Sequence, residues 1–195
     1  MENLNKIKYL FQLVKFEHTI FALPFALYGY YMGMEGEFNL RILSLVIISM
    51  VGARTAAMSF NRIVDYKYDK INPRTKNRPL VSGKIKWAEA INLFILSTLL
   101  FILATFYLNS LAFYLSPLAL FIICFYSLTK RFTSFCHFFL GIALAISPIG
   151  GFIAAKGSFN MTIILIGVAV FFWVAGFDII YSTMDYEFDK KHSLY

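Results

Sequence analysis

Apolar residues fall into six runs separated by short polar stretches: Thr19–Met34, Ile42–Phe60, Ala88–Leu108, Leu111–Leu128, Phe135–Ala155 and Met161–Tyr181. As helices rising ~1.5 Å per residue, runs of this length cross, or nearly cross, ~30 Å of hydrocarbon. The first is short, and its helix is expected to begin before Thr19. Pro24, Pro117 and Pro148 lie inside runs, where helix bundles tolerate them as kinks. The pattern predicts an all-α, polytopic membrane helix bundle with six transmembrane helices. Residues 1–17 differ. Leu4, Ile7, Leu10, Phe11 and Val14 recur at helical spacing, with Lys6, Lys8 and Lys15 between them. That predicts an amphipathic helix lying in the membrane interface. The segment lacks a signal-peptide cleavage pattern, so the first apolar run is expected to stay as a helix.

Composition strengthens the membrane reading. Apolar residues make up 59% of the 195 and charged residues 15%, against about 45–50% and 25% in soluble domains. A soluble domain built this way lacks the polar surface to cover itself. The net charge of +7 suggests nucleic acid in a soluble protein, but in a membrane protein it reports orientation first, and no nucleic-acid partner is expected. Lys6, Lys8 and Lys15 precede the first run, and Arg62, Lys67, Lys70, Arg74, Lys76, Arg78, Lys84 and Lys86 follow the second. Lys130 and Arg131 follow the fourth, and Lys190 and Lys191 the sixth. If every run spans, these fifteen share one face, and only Arg41 and Lys156 lie on the other. The positive-inside rule makes the first face cytoplasmic, placing the chain in the inner (cytoplasmic) membrane with its N-terminus inside. Cys124 and Cys136, twelve apart without ligand spacing, are expected to be packing residues. His18, His137 and His192 are expected to be interfacial or solvated.

Carboxylates at helix ends are the expensive groups in such a protein. After the second run, Asn61, Asp65 and Asp69 are spaced four apart, which stacks them on one helical face. After the sixth come Asp178, Tyr181, Asp185 and Asp189. Both clusters end even-numbered runs, so they meet on the cytoplasmic side. Acids gathered there repel unless neutralised, and an oxygen-rich donor set suits Mg²⁺, which completes its shell with water and phosphate oxygens. Arg74, Lys76 and Arg78 follow the first cluster, and Lys130 and Arg131 end the fourth run. Acid and base around one mouth are the composition of a Mg²⁺–diphosphate site. Arg54 lies inside the second run, seven residues before Asn61, on the same face and about 10 Å deeper. A lone arginine at that depth needs a partner. An internal carboxylate such as Asp178 is one choice and a ligand carboxylate another. The 22 Phe and 12 Tyr either line a tunnel for an apolar ligand or serve as ordinary membrane core and interface.

These residues resemble a family. Asn61-x3-Asp65-x3-Asp69, followed by Asn72-Pro73-Arg74-Thr75-Lys76-Asn77-Arg78-Pro79-Leu80, looks like the first aspartate-rich motif of the UbiA superfamily of intramembrane aromatic prenyltransferases. Asp178-x2-Tyr181-x3-Asp185-x3-Asp189 looks like the second, and Tyr126-Ser127-Leu128-Thr129-Lys130-Arg131 resembles the tyrosine–basic element between them. The resemblance covers nearly the whole chain and is closest to the 4-hydroxybenzoate polyprenyltransferase and menaquinone-pathway branch. It implies a nine-helix bundle, of which residues 1–195 supply six helices of a single membrane domain without its C-terminal part. The implied reaction is Mg²⁺-dependent transfer of a polyprenyl group from polyprenyl diphosphate to an aromatic carboxylic acid in quinone biosynthesis. Metal binding falls to Asn61, Asp65, Asp69, Asp185 and Asp189. Diphosphate contacts fall to Arg78 and Lys130, with Arg74, Lys76 and Arg131 as weaker candidates. Tyr126 and Tyr181 sit near the allylic cation, and Arg54 takes the acceptor carboxylate. Asp178 either orients the acceptor hydroxyl or helps hold metal. Other readings are a dihydroxynaphthoate-type or other superfamily acceptor, a CDP-alcohol phosphotransferase, whose D-G…A-R…G…D…D signature is missing here, and a transporter or channel. The last needs charges through the span, where only Arg54 and Asp178 lie deep.

Overall fold

The computed structural model describes residues 2–192, apart from the side chains of residues 2–5, 18, 185 and 188. The described chain is helical: α1 (Glu2–Val14), α2 (Phe16–Met34), α3 (Leu40–Val64), α4 (Tyr66–Ile71), α5 (Trp87–Leu108), α6 (Ser110–Thr129), α7 (Cys136–Lys156), α8 (Met161–Ser182) and α9 (Tyr186–Lys191). A 3₁₀ turn, Thr183–Asp185, separates α8 from α9. Five helices, α3 and α5–α8, are long and apolar enough to cross a membrane, and α1 with α2 makes a sixth when the pair, bent by 61°, is taken as one broken span. The bend falls at Lys15, whose φ of 46° lies in the left-handed region. α2 begins at Phe16, before the apolar run itself, as its shortness requires.

Three asparagines start helices at the end of the bundle away from the acidic motifs. Asn39, Asn109 and Asn160 accept from the backbone N–H of Ile42, Ala112 and Ile163 at 3.1, 2.9 and 2.8 Å. Each satisfies one of the donors a helix start leaves open. Asn109 also donates to the carbonyls of Ile153 and Ala154, tying the start of α6 to the end of α7.

Helix α7 sits between α2, α6 and α8. Its contact with α2 is backbone-close. A Cβ on Gly29 would lie 1.9 Å from the Pro148 carbonyl oxygen, and one on Gly151 would lie 2.1 Å from that of Ala26. Small residues permit such approach, which gives membrane helices the dispersion contacts that drive their association. Gly151→Val is therefore expected to destabilise the bundle by about 1–3 kcal/mol through overpacking, read as a lowered thermal midpoint in detergent.

α1 is not simply laid on a membrane surface. Leu13 packs with Leu80 and Ile85 of the 72–86 loop and with Ala90 of α5. Lys6 pairs with Glu89. Ile7 and Phe11 stay exposed, so one edge of the helix covers the loop and another remains free for the interface. The loop and the ends of α3, α6 and α8 gather at this end of the molecule.

Candidate active site

The first acidic motif survives a small break between helices. Asp65 closes α3 and opens α4. Its N–H donates to the Asn61 carbonyl, and its own carbonyl accepts from the Asp69 N–H, both at 2.9 Å. The four-residue stack of Asn61, Asp65 and Asp69 therefore continues across the break. Beyond α4 the loop turns back on itself. Asn72 Oδ1 accepts from the Arg74 N–H at 2.8 Å, and Thr75 Oγ1 donates to the Asp69 carbonyl at 3.1 Å. The turn places Arg78 over Asp69, with Nη1 2.5 and 2.6 Å from the two carboxylate oxygens.

Asp65 is held from three sides. Its side chain is 3% exposed and accepts from Lys130 Nζ at 2.7 Å and from an Arg131 Nη at 3.2 Å. Asn61 Nδ2 donates to it at 3.0 Å. Arg131 also donates to the Val64 carbonyl at 2.6 Å and covers the Tyr68 ring, so it backs the motif and does not line the cavity in front of it. Arg62, next to Asn61, is buried. It donates to Asn61 Oδ1 at 2.9 Å and to the Leu13 carbonyl at 3.2 Å, linking α1 to the motif.

These groups surround a polar cavity of about 290 Å³. Asn61, Asp65 and Asp69 line it from α3 and α4, Arg74 and Arg78 from the loop, Tyr126 from α6 and Lys130 from just beyond its end. The second motif adds Asp178, Tyr181 and Asp189. Arg74 bridges the motifs, donating to the Tyr181 hydroxyl at 3.4 Å and lying 5.7 Å from its ring centre. Lys76 is exposed on the loop and does not line the cavity. Asp185 falls in the 3₁₀ turn, and its side chain lies outside the described set.

An apolar cavity of about 330 Å³ lies among α2, α3, α5, α6 and α7. Arg54 and Tyr126 line both cavities, so the polar and apolar spaces meet at these two side chains. Arg54 Nε is buried without a hydrogen-bond partner, and Asp178 pairs with His137 instead. The apolar walls are mostly Ala, Ile, Leu, Ser and Gly, with Phe101 and Phe159 as its phenylalanines. Many of the large aromatics, among them Tyr31, Tyr114, Phe121, Phe172 and Trp173, face outward. The aromatic content thus belongs largely to the bundle exterior.

Three cavity residues escape sequence reasoning. His137 was expected to be interfacial or solvated. It lines the cavity and is hydrogen-bonded to Asp178. The available signal was Asp178 itself, an acid within an apolar run that needs a partner. Lys15 and Arg62 counted only toward topology, yet both line the cavity. Burial, and after it the charges of Arg62, Arg78 and Arg74, pushes the Lys15 ammonium below its usual range. The smaller part of that effect comes from three guanidiniums, which give this side of the cavity a positive field.

Among the described residues, no three acidic, histidine or cysteine side chains converge closely enough to enclose an ion by themselves. Mg²⁺ does not require that, because it typically takes one or two carboxylates and fills its shell with water and substrate phosphate. The oxygen donors of Asn61, Asp65, Asp69 and Asp189 around one cavity fit such an ion.

An acid-and-base cavity thus adjoins an apolar one inside a bundle of membrane-length helices. Residues 22–195 match the UbiA prenyltransferase family, and the chain belongs to that family. It is 32% identical over 165 residues to the 4-hydroxybenzoate octaprenyltransferase of Vesicomyosocius okutanii, covering 85% of this chain and 60% of that protein. The enzyme of the same name from Janthinobacterium sp. is 30% identical over 191 residues, covering 96% of this chain and 67% of the relative. The fold matches an apo UbiA homologue from Aeropyrum pernix K1 with a TM-score of 0.82 and 40% identity, over 91% of this chain and 67% of that one. It also matches an Archaeoglobus fulgidus homologue, solved bound to GPP and Mg²⁺, with a TM-score of 0.79, 24% identity and coverage of 95% and 66%. The chain thus spans roughly three fifths to two thirds of the length of these relatives. It is a multi-pass membrane protein.

Proposed function

We infer that the protein transfers a polyprenyl group from polyprenyl diphosphate to an aromatic carboxylic acid of the 4-hydroxybenzoate type. The observation that carries this reading is the meeting of the two cavities at Arg54 and Tyr126. The apolar space suits an isoprenoid tail, the polar one a diphosphate, and the unpartnered Arg54 Nε a carboxylate at the boundary. The names of the relatives support the aromatic acceptor, and the GPP and Mg²⁺ of the A. fulgidus homologue support the donor and the metal.

Asn61, Asp65, Asp69, Asp185 and Asp189 would hold Mg²⁺, which supplies neutralising charge to the diphosphate when bound. Lys130 and Arg78 reach the cavity and are oriented by Asp65 and Asp69. They offer charge-assisted hydrogen bonds to diphosphate oxygens, which stabilise the leaving group as the allylic C–O bond ionises. Arg74 and Lys15 add positive field from the cavity wall. The rings of Tyr126 and Tyr181 stabilise the allylic cation through their faces. Arg54 fixes the acceptor by its carboxylate, since guanidinium and carboxylate pair in a planar fork. Asp178 holds the acceptor hydroxyl side of the ring. By the distribution of Lys and Arg, this end of the bundle faces the cytoplasm across the inner membrane, and residues 1–195 act as one membrane domain.

The test uses membranes carrying the full-length protein, a polyprenyl diphosphate and a panel of aromatic acids, with prenylated product read by mass spectrometry. Product is expected with a hydroxybenzoate or a dihydroxynaphthoate. Chelating divalent cations is expected to reduce it to background, and added Mg²⁺ to restore it. Absence of diphosphate release with every acceptor would overturn the reading.

A further inference from the structure

One residue of the polar cavity has no part yet in the chemistry: His137, which is paired with Asp178. His137 is the second residue of α7, and Asp178 lies four residues before the end of α8. His137 Nδ1 is 2.8 Å from Asp178 Oδ2, with the side chains 16% and 28% exposed. Both line the cavity, together with Arg54 of α3, Tyr126 of α6, Lys130 just beyond α6, Cys136 of α7 and Tyr181 of α8.

An ionised carboxylate only accepts hydrogen bonds, so Nδ1 carries the proton and Nε2 keeps its lone pair. A carboxylate placed this way also stabilises the imidazolium once a proton arrives. The two carboxylates of the first motif on this wall are differently occupied: Asp65 faces Lys130 and Arg131, and Asp69 faces Arg78.

We propose that His137 is the base that takes the ring proton of the aromatic acceptor, with Asp178 as the residue that holds its tautomer. The proposal rests on the prenyl-transfer reading above. In the reaction the allylic C–O bond breaks and its electron pair leaves with the diphosphate. A C–C bond forms between the allylic carbon and the ring, and the attacked ring carbon then carries both the new substituent and its original hydrogen. That hydrogen leaves as a proton to Nε2, its bonding pair restores the aromatic ring, and the imidazolium later yields the proton to water. The proton needs an acceptor within reach in a site walled by apolar helices, and a positioned base supplies it. Arg54 lines the same cavity and would orient the ring toward the pair.

The full-length protein in membranes is assayed with polyprenyl diphosphate, Mg²⁺ and a hydroxybenzoate, ring-deuterated or not, across a pH series. In the wild-type protein the rate is expected to fall on the acidic side, where the imidazole is already protonated, and to show no primary isotope effect. His137→Gln keeps an amide donor for Asp178 but cannot take the proton. It is expected to lower kcat about 10²-fold, to leave KM for polyprenyl diphosphate unchanged, to erase the acidic limb and to expose a primary isotope effect. A His137→Gln protein with the wild-type rate and acidic limb would overturn the proposal. So would a loss of rate with neither an isotope effect nor an altered limb, which marks a structural role. A wild-type protein that releases no diphosphate with any acceptor overturns the prenyl-transfer reading itself, a distinguishable result.

Discussion

Asp65→Ala is expected to abolish prenyl transfer and to loosen the end of the bundle that carries the acidic motifs, whereas Asp65→Asn is expected to abolish transfer with a somewhat smaller loss of stability. Asp65 is nearly fully buried and joins α3 to α6 through Lys130 and Arg131. Removing one partner of a buried ion pair costs about 3–5 kcal/mol. Here both cations are about a third exposed, so water recovers part of that, and about 2 kcal/mol is the expected loss for alanine. Asparagine keeps one acceptor oxygen for Lys130 and Asn61 but turns an N–H donor toward Arg131 and removes the charge, so it restores only part of the loss. Neither variant retains a carboxylate in the middle of the Asn61–Asp65–Asp69 stack, so turnover should fall by at least ~10²-fold in both. Product formation and the thermal midpoint in detergent, measured on the same preparations, separate the two effects. Wild-type turnover in Asp65→Asn would remove this residue from the site.

Arg54→Met should show the opposite pairing of effects. Arg54 Nε is buried without a hydrogen-bond partner, a placement that disfavours the unliganded fold. Methionine fills similar space without the charge, so the thermal midpoint is expected to equal or exceed that of the wild type. Losing a charge-assisted contact to the acceptor carboxylate should lower kcat/KM for a carboxylated acceptor by about 10²-fold. KM for the polyprenyl diphosphate should not change, and a phenol without the carboxylate should be used no worse than by the wild type. Arg54→Lys keeps the charge but loses the planar fork, so it should fall between. Equal losses with charged and uncharged acceptors would remove the proposed contact.

Local pattern made much of the fold legible. The run Phe135–Ala155 becomes Cys136–Lys156, and Met161–Tyr181 becomes Met161–Ser182, because unbroken apolar length decides where a helix spans. The four-residue spacing of Asn61, Asp65 and Asp69 also survives in three dimensions, since the break at Asp65 keeps the helical hydrogen-bond step. What spacing does not encode is pairing between distant segments. Lys130 and Asp65 are 65 residues apart, and His137 and Asp178 are 41 apart. Each pair forms because helix packing brings their ends together, and composition saw only a charge count and a stray histidine. The docking of α1 was hidden for the same reason: an amphipathic stripe shows that a helix has an apolar face, not whether lipid or protein covers it.

The mutual saturation of acids and bases around the cavity has a thermodynamic consequence. Asp65 and Asp69 are committed to Lys130, Arg131 and Arg78, so these carboxylates can turn to an external cation only as the basic side chains turn elsewhere. Lys130 and Arg78 keep further N–H donors for an external anion, and an anion that draws them away frees carboxylate oxygens. On the proposed function, cation and diphosphate are therefore expected to bind with positive cooperativity, and linkage requires the help to be equal in both directions. With that function, the ion-paired mouth would act as a coincidence detector, holding either ion weakly alone and the two together firmly.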